Sequence, residues 1–199
     1  MSLVPAFSIG VWNAWIIMLY LFLISPLMMM NKGTSRDEIR EQPSGVPKSK
    51  FMDKHNKIEK RAFLFYHIIF FLGFIYSIFL PLKLGTTWFF IGLPISLIGL
   101  IIYTRIIVDW VSTPPNVPIS KGIYRYSRHP IYLTPFLIYI GVGIASASWV
   151  FLLGSIALII LPPFFVLPEE RFLIQKYGDS YRDYMNRTPR WVGKPKSIK

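Results

Sequence analysis

Long apolar stretches alternate with short polar connections along this chain of 199 residues. Five of the stretches are apolar enough to predict helices that cross a membrane, and they cover residues 11–30, 62–80, 88–108, 131–145 and 149–167. The fourth is the shortest. The pattern predicts an all-α integral membrane protein with about five transmembrane helices, forming a single membrane-embedded domain over residues 1–199.

The longest apolar stretch, residues 131–168, runs for 38 residues without a charged or histidine side chain. As one helix it would be about 57 Å long, roughly twice the hydrocarbon thickness of a bilayer. We therefore expect a C-terminal helical hairpin that turns at Ala145-Ser146-Ala147-Ser148. Such a hairpin would bring Arg128-His129-Pro130, which precede it, close to Glu169-Glu170, which follow it, at one membrane interface.

Composition supports the same class of protein. Hydrophobic residues make up 53% of the chain and charged residues 16%, with a mean hydropathy of +0.44. The absence of cysteine excludes disulfides, thiolate catalysis and cysteine metal ligands, and no metal site is predicted. The first apolar stretch lacks a basic segment before it and a small-residue cleavage site, so it is expected to be a retained span.

The basic residues are distributed unequally between the spans. Nine of the 22 lie in residues 31–61, four in 105–128 and eight in 171–199, which leaves only Lys83 elsewhere. The positive-inside rule then predicts an N-terminus outside and a C-terminus in the cytoplasm, in either a prokaryotic inner membrane or an endoplasmic reticulum membrane. The net charge of +12 favours anionic lipid headgroups as partners over nucleic acid, because the basic residues flank the spans. The oligomeric state is not predicted.

The polar connections divide the chain into two regions. Residues 1–110 hold the N-terminal spans and a Pro- and Gly-containing connector at residues 35–50, which is either a gate or a plain mobile loop. Residues 111–199 hold the candidate site. They begin with a proline-rich segment at 112–118, which is expected to be irregular. Pro130 is expected in the first turn of a helix, and Arg105 and Asp109, four residues apart, are expected to pair.

Each candidate site residue has a structural explanation when it is taken alone. Arg128 could anchor at the interface, His129 could cap a helix, and Tyr124 and Tyr132 could belong to an aromatic belt. The two glutamates follow Pro168 at the expected start of a helix, where the helix dipole favours carboxylates. The joint placement of these groups on either side of one hairpin is what points to a functional site.

The sequence of these motifs resembles the integral-membrane methyltransferases. The residues that carry the resemblance lie between about 114 and 191: Gly122-x-Tyr124, Arg128-His129-Pro130-x-Tyr132, Glu169-Glu170-x-x-Leu173, Tyr177-Gly178, Tyr181 and Tyr184. That group includes the isoprenylcysteine carboxyl methyltransferases and the phospholipid N-methyltransferases. The resemblance implies a helical membrane fold in which S-adenosylmethionine enters from the cytosol and a lipophilic acceptor enters from the bilayer.

The resemblance also implies roles for individual residues. Tyr124, His129, Pro130, Tyr132, Glu169 and Glu170 are expected to bind the cofactor, and Arg128 and Glu170 are the catalytic candidates. Arg128 would suit the carboxylate of S-adenosylmethionine, and Glu170 could instead accept a proton from an amine acceptor. One position departs from the families, which usually carry an arginine four residues before the first glutamate, where this chain has Phe165.

Three functions remain open at the level of sequence. The first is methyl transfer from S-adenosylmethionine to a prenylcysteine-like carboxylate or a lipid amine at the cytoplasmic interface. The second is an NADPH-dependent membrane reductase similar to the sterol reductases, although those proteins are longer. The third is a non-catalytic lipid-binding protein. The tail after Glu170 is expected to form two short cytoplasmic amphipathic helices separated at Gly178-Asp179, which act as a lid or as an interfacial anchor.

Overall fold

A computed structural model of the chain describes residues 7–30, 56–114 and 116–196, and the connector predicted at residues 35–50 lies outside these ranges. Seven α-helices form the described part: α1 (Trp15–Met30), α2 (Lys57–Ser77), α3 (Thr87–Ser112), α4 (Pro130–Ala145), α5 (Trp149–Ile160), α6 (Pro162–Tyr177) and α7 (Asp179–Arg187). A short 3-10 helix (Gly122–Arg125) lies between α3 and α4.

The secondary structure of the described residues is helical, as the hydropathy pattern predicts. Only an isolated bridge between Asn13 and Pro81 pairs extended backbone within the described ranges. The first four predicted apolar stretches overlap α1, α2, α3 and α4, and α4 begins at Pro130, as expected of a proline in a first helical turn. The described residues of the proline-rich segment are not helical beyond Ser112, which also agrees with the prediction.

The last apolar stretch differs from its prediction. A helix break at Leu161 separates α5 from α6, because Pro162 and Pro163 lack the amide hydrogens that would continue the hydrogen bonding of α5. Pro168, by contrast, lies inside α6 and does not begin a helix. The prediction of a new helix starting at Glu169 is therefore wrong, and the first of the two expected tail helices is the end of α6.

Helices α3 and α4 approach closely through small residues. An added Cβ on Gly92 would collide with the backbone of Gly141 and Ala145, and one on Gly141 would collide with Ser96. Small residues at a helix interface permit such an approach, and they stabilise helix pairs where water is excluded. Gly141 therefore permits the close packing of α3 and α4.

Helix α2 is fixed in place at its N-terminus. The Asn56 side chain accepts a hydrogen bond from the Glu59 amide (2.9 Å), and the Glu59 carboxylate accepts one from the Asn56 amide (2.7 Å). The other carboxylate oxygen of Glu59 accepts a hydrogen bond from Arg171 Nη2 of α6 at 3.1 Å. The cap therefore also joins α2 to α6.

The helix ends meet at two poles of the molecule. At one pole the Asn13 side chain donates to the carbonyls of Ser8 and Ile78, at 2.6 and 2.7 Å, and the Lys83 amide donates to the Ala145 carbonyl at 3.0 Å. Helices α4 and α5 pack against each other, and the predicted turn residues lie between them at this pole. At the other pole lie the start of α4 and the end of α6.

Much of the outer surface is apolar. Two helical stretches of the described chain, Thr87–Ser112 and Trp149–Tyr177, are long and apolar enough to cross a membrane, and Trp15–Ile24 and Pro130–Ala145 are shorter apolar helices. Large side chains such as Phe65 and Leu72 of α2 and Ile98 and Ile101 of α3 are exposed. Apolar exposure on this scale is typical of a surface that contacts a membrane.

Candidate functional site

A cavity of about 380 Å³ lies between α2, α3, α4 and α6. More than half of its lining residues are aromatic, among them Phe63, Tyr66, Tyr103, Trp110 and Tyr132. Its volume and its apolar wall with few polar groups are typical of a small-molecule site. Two side chains of opposite charge, Arg128 and Glu169, line the same cavity together with His129.

The buried carboxylate of Glu170, in α6, links this helix to Arg128 and His129, which directly precede α4. Its Oε1 lies 3.1 Å from His129 Nε2 and 3.2 Å from Arg128 Nη2. Arg190 binds it in a bidentate manner, with Nε donating to Oε1 at 3.1 Å and Nη2 donating to Oε2 at 2.8 Å. Since an ionised carboxylate only accepts hydrogen bonds, the geometry assigns a proton to His129 Nε2.

Glu169 is held differently from its neighbour. Tyr132 donates its hydroxyl to Glu169 Oε2 at 3.0 Å, and His129 Nδ1 lies 3.7 Å from the same oxygen. The Tyr132 ring packs edge-on against Phe165, which is fully buried. Glu169 therefore faces the cavity, and the hydrogen bond from Tyr132 of α4 sets its orientation. Glu170 does not line the cavity formed by the described residues.

Three buried polar atoms in the cavity wall have no hydrogen-bond partner among the described residues. They are Arg128 Nε, Trp110 Nε1 and the Tyr181 hydroxyl. Only one further buried side-chain atom of the described chain, the Tyr76 hydroxyl, shares this property. Unpaired buried polar groups are costly, so their concentration at one cavity indicates a place where a polar ligand binds.

The segment that precedes α4 is anchored by Asp109. Arg105 Nε lies 3.3 Å from Asp109 Oδ1, which confirms the predicted pair, and Asp109 Oδ2 accepts a hydrogen bond from the Ile123 amide at 3.1 Å. Gly122 has a φ of +57°, and any Cβ there would collide with the Asp109 carboxylate. The contact positions the 3-10 helix that carries Tyr124.

The tyrosines beside this segment are neutral hydrogen-bonding groups. Tyr184 donates its hydroxyl to the Tyr124 carbonyl at 2.8 Å. Burial raises the pKa of Tyr184 well above its usual value. Burial, together with the charge of Glu169, does the same to the pKa of Tyr124.

The structure thus brings the sequence-predicted residues to one place. Arg128, His129, Tyr132 and Glu169 line the cavity with Tyr124, while Pro130 is buried at the start of α4. The sequence did not predict the contributions of Arg190 and Trp110 to the site, and it placed Tyr181 in a motif without a role of its own. Arg190 lies in a polar tail with no motif of its own, and Trp110 has the sequence signature of an interfacial tryptophan.

The described residues form an all-helical protein with apolar helices of membrane length and an aromatic-walled cavity that holds a few polar groups at one end of the bundle. The model of the phospholipid methyltransferase family matches residues 89–180, a segment that contains every residue predicted for the site. The match confirms the resemblance to the integral-membrane methyltransferases, and it points to a membrane methyltransferase with lipid substrates. No curated protein shows a significant match to the chain.

Proposed function

We propose that this protein transfers a methyl group from S-adenosylmethionine to a lipid-borne amine at the cytoplasmic face of a membrane. The observation that carries the proposal is the presence of Arg128 and Glu169 in one aromatic cavity, within the segment matched by the phospholipid methyltransferase family. The proposal includes five membrane spans, with residues 131–168 as a hairpin whose open end faces the cytoplasm together with the basic segments.

The residues of the cavity fit the methyl donor. Its amino acid end carries a carboxylate for Arg128 and an ammonium for Glu169, and the partnerless Arg128 Nε offers a buried donor for that carboxylate. The sulfonium of the bound cofactor would supply an already activated methyl group. The chain then has to orient the two substrates and exclude water, which can lower a barrier by as much as about 7–11 kcal/mol.

The predicted site residues take separate roles in this proposal. Tyr132 and His129 orient Glu169, while Tyr124 and Pro130 shape the wall around the cofactor. Glu170 was a candidate for both binding and catalysis. Its contacts with two arginines and His129 support a role in holding those side chains, and the proposal assigns the direct ionic contact to Glu169.

The charges of the cavity favour an amine over a carboxylate as the acceptor. Arg128 is the only arginine or lysine among the described residues that line it, so an acceptor carboxylate would have to compete for that group. Phe165 stands where related families usually carry arginine, and it packs against Phe63 and Tyr66 without lining the cavity. A wall rich in aromatic rings instead suits a cationic ammonium group.

The test is a methyl-transfer assay with purified protein in lipid vesicles and S-adenosylmethionine labelled in its methyl group. Label is expected in phosphatidylethanolamine vesicles and not in phosphatidylcholine vesicles that contain a prenylcysteine. Label in the prenylcysteine alone would contradict the amine assignment.

Binding in detergent separates the remaining alternatives. S-adenosylhomocysteine is expected to bind to the purified protein in isothermal titration, and NADPH is not. Binding of NADPH alone would support a reductase, and binding of neither would support a lipid-binding protein. Arg128→Gln is expected to weaken S-adenosylhomocysteine binding, whereas Arg171→Gln, which removes a half-exposed arginine that pairs with Glu59, should not.

A further inference from the structure

The C-terminal tail returns to the site after the end of the family-matched segment. The Arg128 amide donates to the Pro189 carbonyl at 3.0 Å, and the Gly193 amide donates to the Tyr126 carbonyl at 3.0 Å. The Ser127 hydroxyl donates to the Arg190 carbonyl at 3.3 Å. These bonds hold the tail alongside the residues that lead into α4, and they place Arg190 beside Glu170.

Two arginines share the carboxylate of Glu170 unequally. Arg190 donates two hydrogen bonds, one to each oxygen, and bonding to Glu170 raises the pKa of Arg190 above its usual value. Arg128 Nη2 lies 3.2 Å from Oε1, and Arg128 Nε has no hydrogen-bond partner among the described residues. A bidentate guanidinium–carboxylate pair is the stronger arrangement, so Arg190 is the principal partner of Glu170.

The formal charges around the site also balance. Arg128 and Arg190 carry two positive charges, and Glu169 and Glu170 carry two negative charges. If Arg190 were absent, Glu170 Oε2 would lose the hydrogen bond from Arg190, and Oε1 would keep only its contacts with His129 and with Arg128, which is already within 3.2 Å. Arg128 would then be held by Glu170 and would be less available to an anionic group in the cavity.

We propose that Arg190 is a positioning residue that neutralises Glu170 and thereby keeps the Arg128 guanidinium available for a ligand carboxylate in the cavity. The identity of that carboxylate, the amino acid end of the methyl donor, rests on the proposed function. The role of Arg190 is separate from it, because it concerns how the chain distributes its own charges.

The experiment compares two ligands on the full-length protein in detergent by isothermal titration. S-adenosylhomocysteine carries the amino acid end, and 5′-methylthioadenosine lacks it. Arg190→Gln is expected to weaken binding of S-adenosylhomocysteine by about tenfold or more and to leave binding of 5′-methylthioadenosine unchanged. The matched control is Arg182→Gln, which removes an exposed arginine of α7 that pairs with Asp179, and it should change neither affinity.

A second test removes the negative charge of Glu170 that competes for Arg128. In Arg190→Gln combined with Glu170→Gln, Arg128 is released again, and part of the lost affinity for S-adenosylhomocysteine is expected to return. A purely structural role of the tail predicts no such recovery. Arg190→Lys keeps the charge without the bidentate contact and serves if the glutamine variant does not fold. It should lose about threefold in affinity for S-adenosylhomocysteine alone.

The outcomes distinguish the two proposals. Equal loss of both ligands in the Arg190 variants, no loss of either, or no recovery in the double variant would overturn the role of Arg190 and leave the proposed function intact. Failure of the unmodified protein to bind S-adenosylhomocysteine would overturn both.

Discussion

His129 Nε2 and Glu170 Oε1 lie 3.1 Å apart although 41 residues separate them in the chain. The contact joins the residue before α4 to the middle of α6, and both side chains are almost completely buried. The residues between them form α4, α5 and the first half of α6, so the contact exists only if these helices return the chain to the pole where it started. The His129–Glu170 contact therefore shows that the start of α4 and the middle of α6 lie side by side, as the site requires.

The hydroxyl of Tyr132 is expected to contribute to ligand binding through Glu169. Tyr132→Phe removes the hydrogen bond to Glu169 Oε2 and leaves the ring packed against Phe165. Because the lost bond involves a charged acceptor, the affinity for S-adenosylhomocysteine should fall about tenfold in isothermal titration. Tyr139→Phe is the control, since the Tyr139 hydroxyl donates to the Phe70 carbonyl and Tyr139 does not line the cavity. Equal affinities in the two variants would remove Tyr132 from the site.

Replacement of Glu170 alone, with both arginines in place, is expected to destabilise the fold. Glu170→Gln leaves Arg128, which is buried, and Arg190 without their shared carboxylate. Breaking a buried ion pair from one side typically lowers the free energy of unfolding by about 3 kcal/mol. The measurement is unfolding in detergent, followed by circular dichroism. Glu59→Gln is the comparison, because it keeps the helix cap and loses only a pair with the half-exposed Arg171, which should cost less than about 1 kcal/mol.

Gly122 is required by both its backbone conformation and its surroundings. An alanine there would adopt a φ of +57°, and its Cβ would collide with the Asp109 carboxylate. Gly85 has a φ of +74° but open space around it, so Gly85→Ala isolates the backbone cost of about 1–2 kcal/mol. Gly122→Ala should lower stability by clearly more than this in the same unfolding assay. Equal losses would mean that the 3-10 helix can move away from Asp109 freely.

The close approach of α3 and α4 predicts a sharp contrast between two glycines. Gly141→Ala places a methyl group against Ser96 and the Gly92 carbonyl, and such overpacking should cost about 1–3 kcal/mol. Gly154→Ala in α5 meets no atom closer than 3.6 Å, and the higher helix propensity of alanine should make it neutral or stabilising by up to about 1 kcal/mol. Thermal unfolding of the two variants in the same detergent tests the contrast. A tolerated Gly141→Ala would show that the interface can open without loss.

The predicted helices agree with the structure where the signal is local. Helices over the apolar runs, Pro130 at the start of α4 and the pair of Arg105 with Asp109 are all observed, and each depends on residues within a few turns of each other. Among the described residues, two helical stretches are long and apolar enough to cross a membrane. The prediction went wrong at Pro168, because a proline inside a hydrophobic run can either break a helix or be carried within it. Here the break falls at Leu161, where two consecutive prolines follow.

Sequence alone predicted that the chain is helical, rich in apolar segments of membrane length and similar to a group of membrane methyltransferases. It also placed Arg128-His129-Pro130 and Glu169-Glu170 together in one candidate site. Only the tertiary structure decided that Glu169 faces the cavity while Glu170 binds two arginines behind it, and that Arg190 joins from the tail. The physical reason is that hydropathy and helix signals act over a few turns. The orientation of adjacent carboxylates and the docking of a polar tail depend instead on packing between segments far apart in the chain.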